Sequence, residues 1–424
     1  IDETGFLPKI TFMFNDRTGI FGNAHFPKRD IVLSVYLKST VDELKPIRCD
    51  YLITSIRSLA VPNSNTKWTT YTIKGELFVP ELYNNVIKSY SSKNSHDTLK
   101  EVSDELKLGF AQNESAPSDN MTWINPNWNR EAFIKYVIKH SYKNDDSFFT
   151  SFIDKHYHLN YININTQFSQ DEDIDKTVLS IQDRANFNDN TPNSTQESEY
   201  VPNVLSNNPN FRGSKNFIIE YNLISDQGKV LINKGYNKRI YYYDQMSTEE
   251  EPKNKLLDFS VRPISTGQTK FGGISLIPID EALQKNEIRK WTHVDYGNTH
   301  RQYIPARLIN SQNLAELNKI KLRAKIKGIN TGIVRGSRIP VWISIPEKQY
   351  IAERQPYLDE EVDNSTTNNS YEGSVTDDTL TDFYYVTGLK HIFERQANPE
   401  DGYLFTEYFL SKRDWKENPD IFNK

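Results

Sequence analysis

The sequence predicts an α+β fold that is mainly β: two similar antiparallel β-barrel domains separated by a helix-containing connecting domain. Three observations carry that prediction. Strand formers are abundant, with 24 Tyr and 22 Phe against 18 Gly and 3 Met, a balance suited to pleated, half-buried structure. Residues 6–83 divide into short alternating runs with turns between them, as in a barrel or sandwich. Finally, Tyr51-Leu52-Ile53-Thr54-Ser55-Ile56-Arg57 aligns without gaps on Tyr384-Tyr385-Val386-Thr387-Gly388-Leu389-Lys390. Each copy is followed at the same spacing by an aromatic-rich run, starting at Tyr71 and at Leu404. This weak repeat marks one barrel at each end of the chain.

The first barrel is assigned to residues 1–90. Its strands are Lys9–Phe14, Asp30–Lys38 (Ile31, Leu33, Val35 and Leu37 on one face), Cys49–Arg57 and Thr70–Leu77. Leu82–Tyr90 is expected to be a short helix. Residues 91–168 form the helical insert. Its first helix has Asp97 as N-cap, Leu99, Val102 and Leu106 as apolar stripe, and Gly109 past its end. An extended run, Asn120–Ile124, stops at Pro126. A second helix starts after Asn127 or Asn129 and carries Phe133, Tyr136, Val137 and His140 on one face. A third, capped by Asp146, is expected to carry Phe149, Phe152, Ile153 and His156. Leu159–Phe168 then reads as a strand.

Residues 169–214 are a polar linker with few large apolar residues. Residues 215–305 are a β-rich connecting part. It opens with a hairpin over Phe217–Gly235 that turns at Asp226-Gln227-Gly228. Residues 306–424 are the second barrel. A helix over Arg301–Lys319 leads into it, with Leu314 and Leu317 inward. Strands follow at Lys321–Lys327, Ile339–Ile345, Phe383–Phe393 and Tyr403–Leu410, interrupted by an acidic loop at 347–382.

A net charge of −5 gives no global reason to expect nucleic-acid binding. Cys49 is the only cysteine, so neither an internal disulfide nor a cysteine zinc cluster can form, as suits a reducing cytoplasm. No run is long enough to span a bilayer, and no signal peptide is read. The chain opens on Ile1, and residues upstream of it are expected.

Candidate chemistry is sparse. Glycoside cleavage needs two carboxylates across a cleft, one with a raised pKa. The acidic residues instead cluster in polar loops (Asp171, Asp173 and Asp175; Glu249–Glu251; Glu360, Glu361 and Asp363) and read as solvated surface. Asp171-x-Asp173-x-Asp175 opens like a calcium loop, but Lys176 and Gln182 stand where an EF-hand needs Gly and Glu. His156 and His158 alone do not make a metal site. No nucleophile elbow, phosphate loop or dinucleotide fingerprint occurs. No cofactor is expected and the chain reads as non-enzymatic. Two features stand out. Lys321, Arg323, Lys325 and Lys327 form a basic row alternating with Leu322, Ala324 and Ile326. The row reads first as the solvated face of a half-buried strand, and second as a face for an acidic partner or for DNA held by its phosphates. Trp123, Trp128, Phe133, Phe149 and Phe152 read as a small core or an intersubunit contact rather than a ligand platform.

The insert resembles a family, the central hub proteins of contractile phage-tail baseplates and the related bases of type VI secretion spikes. The residues that carry the resemblance are Leu106-Lys107-Leu108-Gly109, Ser118 to Trp123, and Ser147 to Asn163. In the second barrel they are Asn310 to Gly328, Arg335 to Val341, and Tyr384 to His391. Together the match spans about 1–168 and 215–415, leaving the polar linker and the acidic loop as insertions. It implies a structural protein of the virion tail, assembled in the host cytoplasm. It further implies a homotrimer with two related barrels per subunit, in a ring that adapts a sixfold tail tube to a threefold spike. Implied partners are tube subunits, the spike, baseplate wedges and DNA passing through the lumen. The alternatives are a glycan-binding or cell-wall-degrading tail enzyme, and a type VI spike base. The latter is disfavoured because the chain stops soon after Trp415 instead of continuing into a β-helical spike.

Overall fold

The computed structural model describes residues 1–21, 31–38, 45–60, 68–168 (except 145), 205–207, 217–226, 238–242, 255–259, 270–271, 274–275, 289–291, 299–300, 302–318, 320–343, 377–395 (except 378) and 402–412. The polar linker up to 204, the residues 229–234 expected to return the hairpin, and the acidic loop over 347–376 lie outside them.

Strands β1 (Lys9–Asp16), β2 (Val32–Leu37), β3 (Ile47–Ala60) and β4 (Thr69–Leu77) form an antiparallel sheet in the order β1-β4-β3-β2. It curls into a half-barrel, the first of the two similar antiparallel domains expected from the sequence. The buried side chains follow the strand period: Tyr71, Ile73 and Leu77 point inward along β4, and Cys49 and Tyr51 along β3.

The insert corrects several expectations. Leu82–Tyr90 is not a helix. A 3-10 turn at Pro80–Tyr83 leads into strand β5 (Asn85–Lys93), where Lys88 and Tyr90 share a face. Helix α1 (Ser95–Glu105) is capped by Asn94, whose side chain accepts from the Asp97 amide (2.7 Å), so Asp97 sits inside the first turn. Lys107 takes the left-handed conformation (φ 57°) expected of Gly109, which instead opens strand β6 (Gly109–Gln112). Gly109 is needed for space: a Cβ there would lie 2.1 Å from the His158 ring. Strand β7 (Met121–Asn129) pairs with β5, and Asn129 caps helix α2 (Arg130–His140) by accepting from the Ala132 amide (2.8 Å). The expected third helix is strand β8 (Phe149–Ile153). Phe149, Phe152 and Ile153 are buried between layers on both faces of a short strand, so their spacing imitates a helical stripe. Leu159–Phe168 splits into β9 (His158–Asn163) and a short helix α3 (Ile164–Phe168).

Strand β10 (Leu205–Ser206) and β11 (Ile218–Ser225) come next. They precede small strands β12 (Lys238–Tyr242), β13 (Lys255–Phe259), β14 (Lys270–Phe271), β15 (Ile274–Ser275) and β16 (Arg289–Trp291). Helix α4 (Tyr303–Leu317) leads into β17 (Ile320–Lys327), β18 (Arg338–Trp342), β19 (Asp382–Arg395) and β20 (Gly402–Ser411). The second half-barrel is a sheet of order β10-β18-β19-β20-β17-β11. β11 pairs with β17 along its whole length.

The two sheets are built alike. The central strands of the second run β17-β20-β19-β18, the chain order of β1-β4-β3-β2. The sequence repeat falls on β3 and β19, and both strands carry a bulge at the same aligned residue. The register skips Thr54 between Ile53 and Ser55, and Thr387 between Val386 and Gly388. Each extra threonine donates its hydroxyl across the ladder, Thr54 to the Lys74 carbonyl (3.2 Å) and Thr387 to the Phe409 carbonyl (2.9 Å). Lys74 and Phe409 are themselves equivalent, opposite Ser55 and Gly388.

Among the described residues, three cores hold the fold. Tyr51, Leu77, Leu99, Trp123, Phe133 and Phe149 belong to one that joins the first sheet to the insert. Leu322, Ile326, Tyr384, Leu389 and Tyr408 belong to the second sheet. Phe148, Phe152 and Ile162 meet Leu317 and Tyr385 in a third, between insert and second sheet. The insert is thus the spacer both half-barrels pack on. Each large apolar side chain buried there contributes about 1.5–3 kcal/mol.

Candidate functional site at the junction of the half-barrels

The β8–β9 turn, Asp154-Lys155-His156-Tyr157, is where the parts converge. Asp154 shapes it: one carboxylate oxygen accepts from the His156 and His158 amides (2.9 and 3.0 Å), the other from the Asn160 side chain (3.0 Å). Tyr157 takes a left-handed φ of 61°. Toward the first half-barrel, the Tyr157 hydroxyl accepts from the Asp50 amide (2.9 Å), and Cys49 Sγ lies 3.5 Å from the Lys155 carbonyl. Toward the second, Lys155 Nζ donates to the Ile333 carbonyl (3.3 Å), and His156 Nε2 sits 3.4 Å from the Thr331 carbonyl.

An N-terminal strap, residues 1–8, closes the same junction. The Glu3 amide donates to the Leu389 carbonyl, and the His391 amide to the Ile1 carbonyl (2.8 Å each). The Ile153 amide donates to the Phe6 carbonyl (2.9 Å), and the Arg335 guanidinium to the Gly5 carbonyl. At the centre Glu3 Oε1 lies 3.3 Å from Lys155 Nζ and 3.6 Å from His391 Nε2, all three side chains buried. Burial works to raise the Glu3 carboxyl, but Lys155 and His391 together hold it down to about 2. Burial, with Lys155 nearby, lowers His391 to about 4.

The motif residues of the insert are structural. Asp119 accepts from the Ser95 amide (2.9 Å), the Ser95 hydroxyl (2.6 Å) and the Tyr142 amide (2.9 Å), and burial raises it to about 6. It thereby fixes the start of α1 against the chain leaving α2. The buried Trp123 donates its indole N–H to the Lys93 carbonyl (2.9 Å). Sequence reasoning put His140 on the packed face of its helix but gave no role to Asn310 or to the pairing of His140 with His300. Asn310, on α4, donates to the carbonyls of Ile138, Lys139 and Ser141 and accepts from the Phe149 amide (2.7 Å), closing the end of α2. His140 stacks on Tyr303 (3.9 Å between ring centres), and His300 reaches the His140 carbonyl (2.9 Å). Burial lowers both histidines, to about 3 and about 4. All of these bonds join residues far apart in sequence, so no local pattern announces them.

The aromatic set does not gather into a cleft. Trp123, Phe133 and Phe149 lie in the first core, Phe152 in the third under the Arg335 guanidinium (4.4 Å), and Trp128 is half-exposed, edge-on to Tyr136 (5.3 Å). The basic row keeps its alternation, with Ile320, Leu322, Ala324 and Ile326 buried and Lys321, Arg323, Lys325 and Lys327 outward. It is not a bare cationic stripe. Arg323 pairs with Glu407 (2.5 Å), Lys325 sits over the Phe405 ring (4.4 Å), and burial lowers Lys321. Apolar exposure lies elsewhere: Phe12, Met13, Val32, Tyr36 and Leu59 are exposed on the first half-barrel.

No family model and no curated protein matches the sequence. Among solved structures, the chain is similar to a tail protein from Neisseria meningitidis MC58, at 9% identity and a TM-score of 0.48, over 97% of this chain and 90% of that one. It is also similar to the 43 kDa tail protein of prophage MuSo2 from Shewanella oneidensis, at 7% identity and a TM-score of 0.45, over 97% and 92%. A third is an E. coli component of the type VI secretion system, described as structurally similar to T4 phage tail proteins. That match has 8% identity and a TM-score of 0.39, over 96% and 71%.

Proposed function

We propose that this chain is a non-enzymatic structural protein, the central hub subunit of a contractile-tail baseplate, acting as a homotrimer. The observation that carries the reading is the duplication: two sheets of one strand order, with bulged threonines making the same cross-strand bond. Three copies of a chain holding two like modules present six like positions around a threefold axis. That is the geometry needed between a sixfold tube and a threefold spike. The sequence pattern of the insert supports the same assignment. The insert, sharing a core with each sheet, would set the angle between modules and so the curvature of the ring. Tube subunits, a spike and baseplate wedges are the partners this reading assigns. The row Lys321, Arg323, Lys325 and Lys327 would meet a neighbour or passing DNA without base readout.

Light scattering of the purified chain across concentration and salt tests the assembly. The expected mass is three times the 49.3 kDa of one chain. A strict monomer, in the presence as well as the absence of spike protein, would sink the ring.

A further inference from the structure

Buried charges are retained in proteins only where they are paired, and a loosely paired one is a weak point. Glu3 is such a group. Both its oxygens are inaccessible to solvent and, among the described residues, neither accepts a hydrogen bond of good geometry and the carboxylate is held by ion pairs of 3.3 and 3.6 Å. Its two partners come from different parts of the fold, Lys155 from the β8–β9 turn and His391 from β19. They also face each other, with Lys155 Nζ 3.4 Å from His391 Nε2. The other His391 nitrogen, Nδ1, meets the Thr406 hydroxyl (3.0 Å), which itself donates to the Gly328 carbonyl.

We propose that Glu3, Lys155 and His391 form an acid-released latch, which holds residues 1–8 across the junction of the half-barrels and lets them go when His391 takes a proton. The neutral cluster balances one carboxylate against one ammonium. A proton on Nε2 places a second cation beside Lys155, with a single carboxylate to serve both and all three groups buried from bulk solvent. The remaining titratable or charged groups around the cluster are few. Arg335 from the loop before β18 and Tyr408 from β20 face Glu3, as do Cys49 and Tyr51 from β3. Arg335 is a further cation on the Glu3 side. Lys390, next to His391, is paired outward with Asp2 (3.3 Å), and the Ile1 amino nitrogen lies on the His391 carbonyl (2.7 Å). Asp2 is the one further carboxylate among these, and it is engaged by Lys390 and by the Thr4 amide and hydroxyl rather than by His391.

The strap has something to release from. Thr4 packs on Gly388, where a Cβ would stand 2.9 Å from the Thr4 methyl. The aligned position in the first half-barrel is Ser55, so the repeat departs from itself where the strap lies. Release removes the strap's bonds to Leu389, His391, Ile153 and Arg335 and leaves the pairings within β17-β20-β19-β18 and β1-β4-β3-β2 intact, since the strands of both begin after the strap.

Cys49 reports the event. It is fully buried against the Lys155 carbonyl and is the only thiol in the chain. Its labelling by 4,4′-dithiodipyridine, relative to a free thiol at each pH, is expected to rise about 15-fold between pH 6.5 and 5, the slope approaching tenfold per unit at the acid end. Far-UV circular dichroism should stay unchanged over that range. In H391Q the rise should fall below about threefold, because Gln cannot take the proton. In E3Q labelling should already be fast at pH 7, because Lys155 is left without its carboxylate. An equal acid rise in H391Q, which keeps His140 and His300, would overturn the latch, as would a wild-type thiol still protected at pH 5. Should H391Q not fold, hydrogen exchange of the wild type decides. Faster exchange at the Glu3 and Ile153 amides, with β19 and β20 still protected, supports the latch, and uniform loss across the sheet refutes it.

Discussion

The two half-barrels share an order of strands but not a state of closure. In the second, β11 lies beside β17 and β10 beside β18, and every inward residue of β17 is buried. In the first, β1 and β2 are edge strands among the described residues. Phe12, the equivalent of the buried Ala324, is 46% exposed. Among the described residues, one module covers the inward face along β17, and the other leaves that face open at the equivalent strand β1. Duplicated modules therefore diverge first in what flanks them, while the bulge that sets their twist persists.

That contrast can be broken or sharpened by paired substitutions. The largest effect is expected from Ala324→Phe, which overpacks a closed core and should cost about 3 kcal/mol in urea unfolding. Its counterpart Phe12→Ala should cost less than about 1 kcal/mol, since little buried area is lost. Equal costs would mean that the first sheet is as closed as the second.

Acid acts next. His391 and His300 (each near 4) and His140 (near 3) have pKa values depressed by burial below the ordinary value of 6.5. The unfolded chain therefore binds protons that the folded one refuses. Stability should fall as pH drops from 6.5 toward 4, by about 1.4 kcal/mol per unit for each histidine. Asp119, raised to about 6, works the other way: its folded form takes a proton first, so it adds stability as pH falls from about 6 toward its ordinary value of 3.8. Because His140 lies in the insert, with His300 packed on it, and His391 lies in the second sheet, thermal melts of His140→Gln and His391→Gln at pH 5 and 7 assign the loss to each region.

The bulges come third. Thr387→Val should cost about 1 kcal/mol and Thr54→Val about half that, because the hydroxyl of Thr54 is exposed and can exchange its bond for water. Smallest in stability, and most telling for assembly, is Met13→Lys on the open edge. A charge there should leave the melting temperature within a degree while weakening self-association at least about tenfold by sedimentation. Unchanged association would place the contact between copies elsewhere.

The strand alternation of β17, the helix α2 with its cap at Asn129, and the repeat of β3 in β19 were all legible in the sequence. Each is fixed by neighbours within a few residues or by side-chain period. The same reasoning misread β8 and β5. A five-residue strand buried on both faces spaces its apolar residues as a helix would, and only the sheet partners β9 and β7 decide between them. The basic row could be placed by alternation, yet its pairing with Glu407 depended on β20 arriving beside β17. Hidden most completely was the junction. Glu3, Lys155 and His391 stand far apart along the chain, and although Lys155 and His391 fall within matched stretches, nothing in the local sequence joins the three. Local period and turn chemistry thus determined which segments are strands and which residues face inward. The meeting of charges across the interior, and the difference between a closed sheet and an open one, came only with the tertiary fold. Both depend on long-range burial, which no short window of sequence contains.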